Sequence, residues 1–292
     1  MSIKPEFKPS SDVNGTLYVV ATPIGNLGDM SQRALDILAK VDLVAAEDTR
    51  HSRKLLSYFS IDKPLLSLHE HNEQARVEAV IQKLMAGKNI ALVSDAGTPL
   101  ISDPGYALVH ACRQQQVKVV PIPGPSALIT ALSVSGLPTD SFRFCGFPPR
   151  QSAKRQDFFR QFNRDTATLV FYESSHRIQA CLQDAVAVFG LQRPASLARE
   201  LTKLYETVIS ATLAELQQRL LEDENQTRGE FVLIIQGISH DEKDAAHAID
   251  ADELLQALLQ ELPVKKAAAL TAKLTGKKKN ELYQRALELK KD

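Results

Sequence analysis

The chain has 292 residues, of which 44% are hydrophobic and 24% are charged, a composition typical of soluble globular proteins. That length exceeds what one ordinary core requires and predicts two domains, with room for a small third. The three cysteines lie far apart, without CxxC or Cys/His spacing, which argues against a disulfide framework and a metal site. Since no apolar run approaches the ~20 residues that span a bilayer, we expect a cytoplasmic protein with no membrane partner and no bound metal.

The first half of the chain alternates short apolar runs with amphipathic stretches. Residues 1–14 lack the apolar core of a signal peptide and predict a disordered arm. The predicted order is then strand 16–22, helix 31–41 capped by Ser31, strand 41–47, helix 49–59, strand 64–68, helix 72–87, strand 89–97, helix 105–116 and strand 117–124. This alternation predicts a parallel sheet with helices on both faces, in an N-terminal α/β domain over 15–140.

The second half restarts the alternation after a hinge at 141–150. Its predicted elements are strand 167–173, helix 175–189, strands 195–202 and 206–210, helix 212–221 and strand 230–237, which indicate a second α/β domain over 141–238. An acidic linker follows at 239–250. Three short helices, separated by Pro263 and Gly276, then form a predicted helical domain over 251–292.

Charge is balanced overall but not along the chain. Lys plus Arg equals Asp plus Glu at 35 each, so the net charge indicates nothing about nucleic acid. From residue 264 to the end, however, nine basic residues face three acidic ones, a net of +6. Such clustering is typical of phosphate binding, and a solvated helix face is the alternative interpretation.

Three loops rich in Gly and Pro each follow a predicted strand, at 21–31, 94–105 and 121–132. The first lacks the GxGxxG pattern of a dinucleotide fold, although Glu47 and Asp48 follow at about the spacing of a ribose-binding carboxylate. Because parallel strands bring such loops to one sheet edge, the pattern favours a site for a zwitterionic, adenine-bearing small molecule held largely by main chain. Turns that merely connect elements are the alternative.

Several long motifs together carry a resemblance to a known family. They are TLYVVATPIGNLGDMSQRALDIL, VAAEDTRHSRKLL, ALVSDAGTPLISDPG, PGPSALITALSVSGLP, FCGFPPR, VFYESSHRI, ARELTKLYE and GEFVLII. From about Gly15 to Gly237 the chain resembles the ribosomal RNA 2′-O-ribose methyltransferase branch of the tetrapyrrole methylase superfamily, and the basic tail resembles that branch too. The wider superfamily has GxGPGD and GDP where this chain has TPIGNLGD and GTP. The RNA-modifying branch shares both departures, which argue against a corrin or sirohaem substrate.

The resemblance implies two α/β domains of tetrapyrrole-methylase type with a cleft between them, followed by the small helical domain. It implies S-adenosylmethionine as methyl donor, the 2′-hydroxyl of a cytidine in small-subunit ribosomal RNA near the decoding centre as acceptor, free RNA or the assembled 30S particle as partner, and a homodimer. A tetrapyrrole-type methyltransferase and a non-catalytic RNA-binding assembly factor are the alternatives. On matching positions the donor contacts would be Pro23, Asp95, Gly97, Thr98, Pro99, Leu100, Ile101, Ser126, Ala127, Tyr172 and Gly229.

Methyl transfer to a ribose hydroxyl requires positioning and a base. The hypothesised bases in the matched motifs are Asp48, Glu173, Glu200 and Lys203; structural ion pairs at the domain seam are the alternative, since Arg177 could pair with Glu173 at i+4. The cations that could hold RNA phosphates are Arg50, Lys54, Arg150, Arg155, Arg177, Lys277, Lys278 and Lys279. The HEH run at 69–71 resembles a metal clip, but it has no third ligand at suitable spacing, so we assign it no metal.

Overall fold

The structure is a computed structural model that describes residues 14–69, 73–239 and 251–289. The predicted arm up to residue 13, nearly all of the acidic linker and the last two residues of the HEH run lie outside the described residues. In the described part of the chain, no helix is long and apolar enough to cross a membrane.

The first five-stranded sheet is parallel throughout, as the alternation of strands and helices predicts. Its strands lie in the order β3-β2-β4-β1-β5. They are β1 (Thr16–Val20), β2 (Leu43–Ala46), β3 (Leu65–Ser67), β4 (Ile90–Val93) and β5 (Lys118–Ile122). The helices are α1 (Gln32–Lys40), α2 (Thr49–Tyr58), α3 (Glu73–Met85), α4 (Tyr106–Gln114) and α5 (Ala127–Val134). Because β4, β1 and β5 are neighbours, the three loops that follow them meet at one sheet edge.

Both faces of this sheet are buried. Successive side chains on a strand point to opposite faces, so Tyr18 joins the apolar cluster beneath α1 and α2, whereas Leu17 joins the cluster beneath α3 and α4. The first helix begins as predicted, since Ser31 accepts a hydrogen bond from the Ala34 N–H as its N-cap. The strands therefore read as apolar runs because neither face meets water.

The second sheet is mainly antiparallel, which corrects the expectation of a repeated strand–helix pattern. Its strands lie in the order β6-β7-β10-β8-β9, and only β6 and β7 run parallel. They are β6 (Phe142–Gly146), β7 (Thr168–Ser174), β8 (Pro194–Arg199), β9 (Thr207–Thr212) and β10 (Glu230–Ile235); the helices are α6 (Ser152–Arg160), α7 (Ile178–Phe189) and α8 (Leu213–Glu222). The loop at 200–206 between β8 and β9 is too short for a crossover helix, so these strands pair antiparallel.

Helix α5 links the two sheets. One face of the second sheet is covered by α6, α7 and α8 around Phe159, Phe171 and Leu182. The other face packs against Leu128, Ala131 and Leu132 of α5, which follows the last strand of the first sheet. The two α/β units therefore share a continuous apolar contact next to the loops at the sheet edge.

The three C-terminal helices form a small bundle of their own. They are α9 (Ala251–Glu261), α10 (Val264–Thr275) and α11 (Lys279–Leu289), as the sequence predicts. Leu255, Ala268 and Leu282 lie at its centre. Helix α10 ends at Gly276, whose φ of +70° is the left-handed conformation that glycine tolerates.

Candidate functional site

A cavity of about 380 Å³ lies where the loops of the first sheet face β7 and β10 of the second. Its volume falls in the range of ligand-binding clefts. Of the predicted donor contacts, those at the cavity wall are Asp95, Gly97, Thr98, Ile101, Ser126, Ala127 and Tyr172. Those that do not line it are Pro23, Pro99, Leu100 and Gly229. Each of these four is the sequence neighbour of a lining residue.

Hydrogen bonds between the three loops hold the first-domain wall together. Thr22 and Gly97 exchange two backbone hydrogen bonds, of 2.8 and 3.0 Å, which join the loop after β1 to the loop after β4. Thr98 Oγ1 donates to the Pro125 carbonyl at 3.1 Å and joins the latter loop to the start of α5. Gly97 has a φ of +78°, a conformation that favours glycine. The loops thus form one preformed wall.

The N-terminus of α5 opens onto the cavity. Ser126 is its N-cap but makes no side-chain capping bond, so main-chain N–H groups at the cavity wall are available to a ligand. Tyr172 reaches across from β7, where its hydroxyl accepts a hydrogen bond from the Leu128 N–H at 3.0 Å. Burial raises the pKa of Tyr172, and its hydroxyl therefore remains a proton donor at neutral pH.

Two carboxylates that we had not assigned a catalytic role line the cavity, Glu47 after β2 and Asp103 in the loop after β4. Burial, together with the charge of Asp103, raises the pKa of Glu47. Burial also raises the pKa of Asp103. A hydrogen bond from Ser94 acts in the opposite direction, and the charge of Asp95 adds to the increase. A raised pKa makes a carboxylate a stronger proton acceptor.

The loop that carries Asp103 contains two residues in the left-handed region of backbone space. Leu100 has a φ of +75° and Ser102 a φ of +65°, conformations that are unfavourable for residues with a Cβ. Backbone strain of this kind persists where surrounding structure imposes it, and it is concentrated at functional sites. A useful signal in the sequence was the position of Asp103 within the matched motif SDAGTPLISDPG.

Asp48, one of the hypothesised bases, is not among the residues that line the cavity. Its side chain caps α2 by accepting a hydrogen bond from the Arg50 N–H at 2.8 Å and also pairs with the Arg50 guanidinium at 2.9 Å. The hydrogen bonds from Arg50 lower the pKa of Asp48 to about 2. A carboxylate held in this way is a weak base, and its geometry is that of a helix cap.

Glu200 and Lys203 form an ion-pair cluster at the seam between the two units. Lys203 Nζ lies 2.8 Å from Glu200 Oε1 and 2.9 Å from Glu230 Oε2. Burial alone would lower the pKa of Lys203, but hydrogen bonds to the two carboxylates raise it overall. A Cβ at Gly25 would lie 2.5 Å from Lys203 Cγ, so the lysine packs against the first-domain loop. These contacts favour the cationic form of Lys203 and hold it at the seam.

Glu173 is the hypothesised base that does line the cavity. Its side chain is 0% exposed, and the predicted pair is present, with Arg177 Nε 2.6 Å from Glu173 Oε1. A second donor of Arg177, Nη2, binds the Pro148 carbonyl at 3.0 Å. Arg177 is thus occupied by a carboxylate and a main-chain oxygen, and its side chain is only 21% exposed.

The prediction that Arg155 contacts RNA is wrong, because its side chain is buried. Arg155 is 3% exposed and lies 2.6 Å from Asp184. Its remaining donors bind the carbonyls of Pro149, Arg150 and Ala180, so a phosphate could reach it only after the core opened. By contrast, the exposed cations of the predicted set are Arg50, Lys54, Arg150, Lys277, Lys278 and Lys279.

Within the described part of the chain, no group of three or more His, Cys, Asp or Glu residues is arranged to hold a metal ion. The HEH run at 69–71 is only partly described, since residues 70 and 71 lie outside the described ranges.

Comparison with known proteins identifies the family. A family model described as Tetrapyrrole (Corrin/Porphyrin) Methylases matches residues 16–217, which include the cavity-lining loops of the first sheet and β7 but not β10. The chain belongs to the tetrapyrrole methylase family. A second model, the RsmI C-terminal HTH domain, matches residues 245–290, the region of the three-helix bundle.

Curated relatives match nearly the whole chain. The chain is 52% identical to Ribosomal RNA small subunit methyltransferase I of Escherichia coli O157:H7, over 97% of this chain and 98% of the relative. It is 54% identical to the protein of the same name from Vibrio cholerae, over 93% and 94%. The Xylella fastidiosa strain Temecula1 protein is 52% identical, over 92% and 98%.

Solved structures of the family share the fold. Uroporphyrin-III C-methyltransferase from Thermus thermophilus, complexed with S-adenyl homocysteine, superposes with a TM-score of 0.52 at 17% identity, over 76% of this chain and 97% of that chain. Diphthine synthase gives 0.57 at 15% identity, over 78% and 93%. At such low identity these likenesses establish the two-sheet architecture alone.

Proposed function

We propose that this chain is an S-adenosylmethionine-dependent methyltransferase of small-subunit ribosomal RNA, and that it methylates the 2′-hydroxyl of a cytidine near the decoding centre. The observation that carries the proposal is a preformed cavity between two sheets, in a chain 52% identical over 97% of its length to a relative named Ribosomal RNA small subunit methyltransferase I. Members of one family at this identity share their chemistry far more often than proteins that share only a fold.

The residues of the cavity fit the proposed methyl donor. S-adenosylmethionine is a zwitterion with an adenine ring, and when bound it supplies an electrophilic methyl group on a sulfonium. Ser126 and Ala127 at the N-terminus of α5 provide main-chain donors for an anionic group. Ile24, Leu201 and Val232 provide apolar surface. A family neighbour complexed with S-adenyl homocysteine has the same two-sheet architecture, which supports this choice of donor.

The reaction requires a group that accepts the proton of the ribose hydroxyl. Asp103 and Glu47 are cavity carboxylates whose pKa is raised, by burial first and further by the charge of neighbouring carboxylates. Asp103 lies on the strained loop, and we assign it the role of base. Glu47 is the neighbouring carboxylate, whose own pKa is raised by the charge of Asp103. A base of this kind contributes roughly 10²–10⁴-fold to rate, and positioning by the rigid loops contributes further.

The exposed cations of the C-terminal bundle fit the RNA substrate. Lys277, Lys278 and Lys279 are exposed at the start of α11, in the region that matches the RsmI C-terminal HTH domain. Clustered lysines bind phosphates without reading sequence, so this bundle would hold the RNA while the cavity selects the hydroxyl. We also propose small-subunit ribosomal RNA or the assembled 30S particle as the substrate, a homodimer and a cytoplasmic location.

Methyl transfer to unmodified small-subunit particles tests the proposal. The full chain, labelled S-adenosylmethionine and either free RNA or particles would be incubated, and the RNA digested to nucleosides for mass spectrometry. We expect the label in 2′-O-methylcytidine for the wild type and for Asp62→Asn, an exposed control outside the cavity, and at least 100-fold less for Asp103→Asn. Label on a base atom, or in a tetrapyrrole rather than RNA, would refute the proposed function.

A further inference from the structure

An exposed phenylalanine stands at the mouth of the cavity. Phe147 lines the cavity wall, yet 56% of its surface is exposed to solvent. Exposure of so large an apolar ring to water is unfavourable. Single exposed apolar residues are common on protein surfaces, so exposure alone assigns Phe147 no role.

A β-bulge aims the ring. The register between β6 and β7 shifts between Phe144, which pairs with Val170, and Gly146, which pairs with Phe171. Gly146 has a φ of +71°, and a Cβ there would meet nothing within 4 Å. The glycine is thus required by the backbone conformation rather than by crowding. Bulges redirect side chains and are common beside active sites, and this one turns the chain so that the next residue faces the cavity.

Aromatic contacts support one side of the ring. Phe147 packs against Tyr172 with ring centroids 5.5 Å apart at an angle of 65°, and Tyr172 packs against Phe144 at 4.8 Å and 63°. Edge-to-face pairs in this range are attractive. Tyr172 is itself fixed by its hydrogen bond to Leu128. The ring of Phe147 therefore rests on a rigid support while more than half of it stays open.

Two arginines, the buried Arg155 and the half-buried Arg177, hold the backbone that follows. Arg177 donates to the Pro148 carbonyl at 3.0 Å. Arg155 Nη1 donates to the carbonyls of Pro149 at 3.2 Å and Arg150 at 3.0 Å. Both arginines are fixed in turn by carboxylates, Glu173 and Asp184. Consecutive prolines restrict the backbone further. The loop at 147–150 is thus built to keep an exposed ring in one place.

We propose that Phe147 is a stacking platform for a nucleobase of single-stranded RNA, which positions the acceptor ribose at the cavity; this inference rests on the proposed function. Proteins bind unpaired bases by stacking them on aromatic side chains next to cations that contact the phosphates. Arg150, three residues further on, is exposed and supplies such a cation. A rigid, half-open ring flanked by an arginine has the chemistry of this mode of recognition.

The test compares Phe147→Ala with Phe142→Ala. Phe142 begins β6, the strand that immediately precedes Phe147; it is 42% exposed but does not line the cavity, so it is a matched control. Affinity for a short single-stranded RNA and for S-adenosylmethionine would be measured by direct binding to the full chain, and KM and kcat by methyl transfer. We expect Phe147→Ala to weaken RNA binding and raise KM on the order of 10- to 100-fold, with donor affinity within about 2-fold and Phe142→Ala unchanged.

Two further variants separate stacking from simple apolar cover. Phe147→Trp should retain RNA affinity, whereas Phe147→Leu, which keeps an apolar side chain without a π face, should lose most of it. Full RNA affinity in Phe147→Leu, or a loss of donor affinity with unchanged RNA affinity in Phe147→Ala, would overturn the platform. If the wild type binds RNA through Phe147 but transfers no methyl group, the proposed function fails and the platform stands. If transfer is normal in Phe147→Ala, the platform alone fails.

Discussion

Breaking the buried ion pair beneath the loop at 147–150 from one side should strongly destabilise the second domain. Arg155 and Asp184 have side chains 3% and 7% exposed, and they are 2.6 Å apart. Arg155→Met removes the charge and every hydrogen bond of the guanidinium, which leaves Asp184 buried with Ser152 and Gln156 as its neutral partners. Breaking a buried pair from one side costs about 3–5 kcal/mol, and we expect a loss of stability in that range.

Arg160→Ala provides the comparison on the same helix. Arg160 pairs with Asp157, but their side chains are 58% and 71% exposed, and such surface pairs contribute at most about 1 kcal/mol. Urea unfolding followed by circular dichroism gives both free energies. Because the desolvated charge causes most of the loss, the double change Arg155→Met with Asp184→Leu should recover much of it.

A loss in Arg155→Met no greater than that in Arg160→Ala would refute this reasoning. It would mean that the core relaxes around Asp184, or that water reaches it, and the anchoring of the loop by Arg155 would then need another explanation. If Arg155→Met loses stability but the folded variant binds RNA as the wild type does, the ion pair stabilises the domain without positioning Phe147.

Three other results follow from the site. Because Asp103 must be ionised to accept a proton and burial raises its pKa, the rate of single-turnover transfer should fall as pH decreases through a value above that of a free aspartate; Asp103→Asn should lose about 10²–10⁴-fold and show no such limb. Changing Lys277, Lys278 and Lys279 to Gln should reduce the slope of log affinity against log salt by about 2 for single-stranded RNA, while a salt slope equal to that of the wild type would remove the bundle from the RNA surface. Tyr172→Phe removes the hydroxyl that accepts from Leu128, and calorimetry should detect weaker donor binding; unchanged affinity would show that the α5 terminus holds its position without it.

The first sheet was predictable because its strands are continuous apolar runs separated by amphipathic helices, a pattern that local sequence carries. The antiparallel arrangement of the second sheet was not predictable, because the pairing of β8 with β9 and β10 depends on which strands become neighbours in the fold. In the same way, the Gly and Pro loops predicted where the cavity forms, whereas the counter-ion of Arg155 lies 29 residues away. A charge next to a hinge resembles a surface charge until its partner is known.

The assignment of site residues shows the same division. Residues in the loops after β4 and β5 were predicted from motifs, and six of them line the cavity, namely Asp95, Gly97, Thr98, Ile101, Ser126 and Ala127. Glu47 and Asp103 differ from the hypothesised bases only in their three-dimensional surroundings, since burial and neighbouring carboxylates set the pKa of each. The motif VAAEDTRHSRKLL contains both Glu47, which lines the cavity, and Asp48, which pairs with Arg50. Sequence alone does not tell which of these two carboxylates an arginine neutralises.

The position of α5 limits how ligands can enter. Leu128, Ala131 and Leu132 fill the second sheet's inner face while the same helix presents its N-terminus to the cavity. Moving the two domains apart would expose these side chains and disrupt the part of the cavity wall that α5 provides. Small molecules must therefore exchange through the existing opening of the cavity. The packing of the folded protein, rather than ligand binding, sets the width of that opening. An RNA strand bound across the opening would close it.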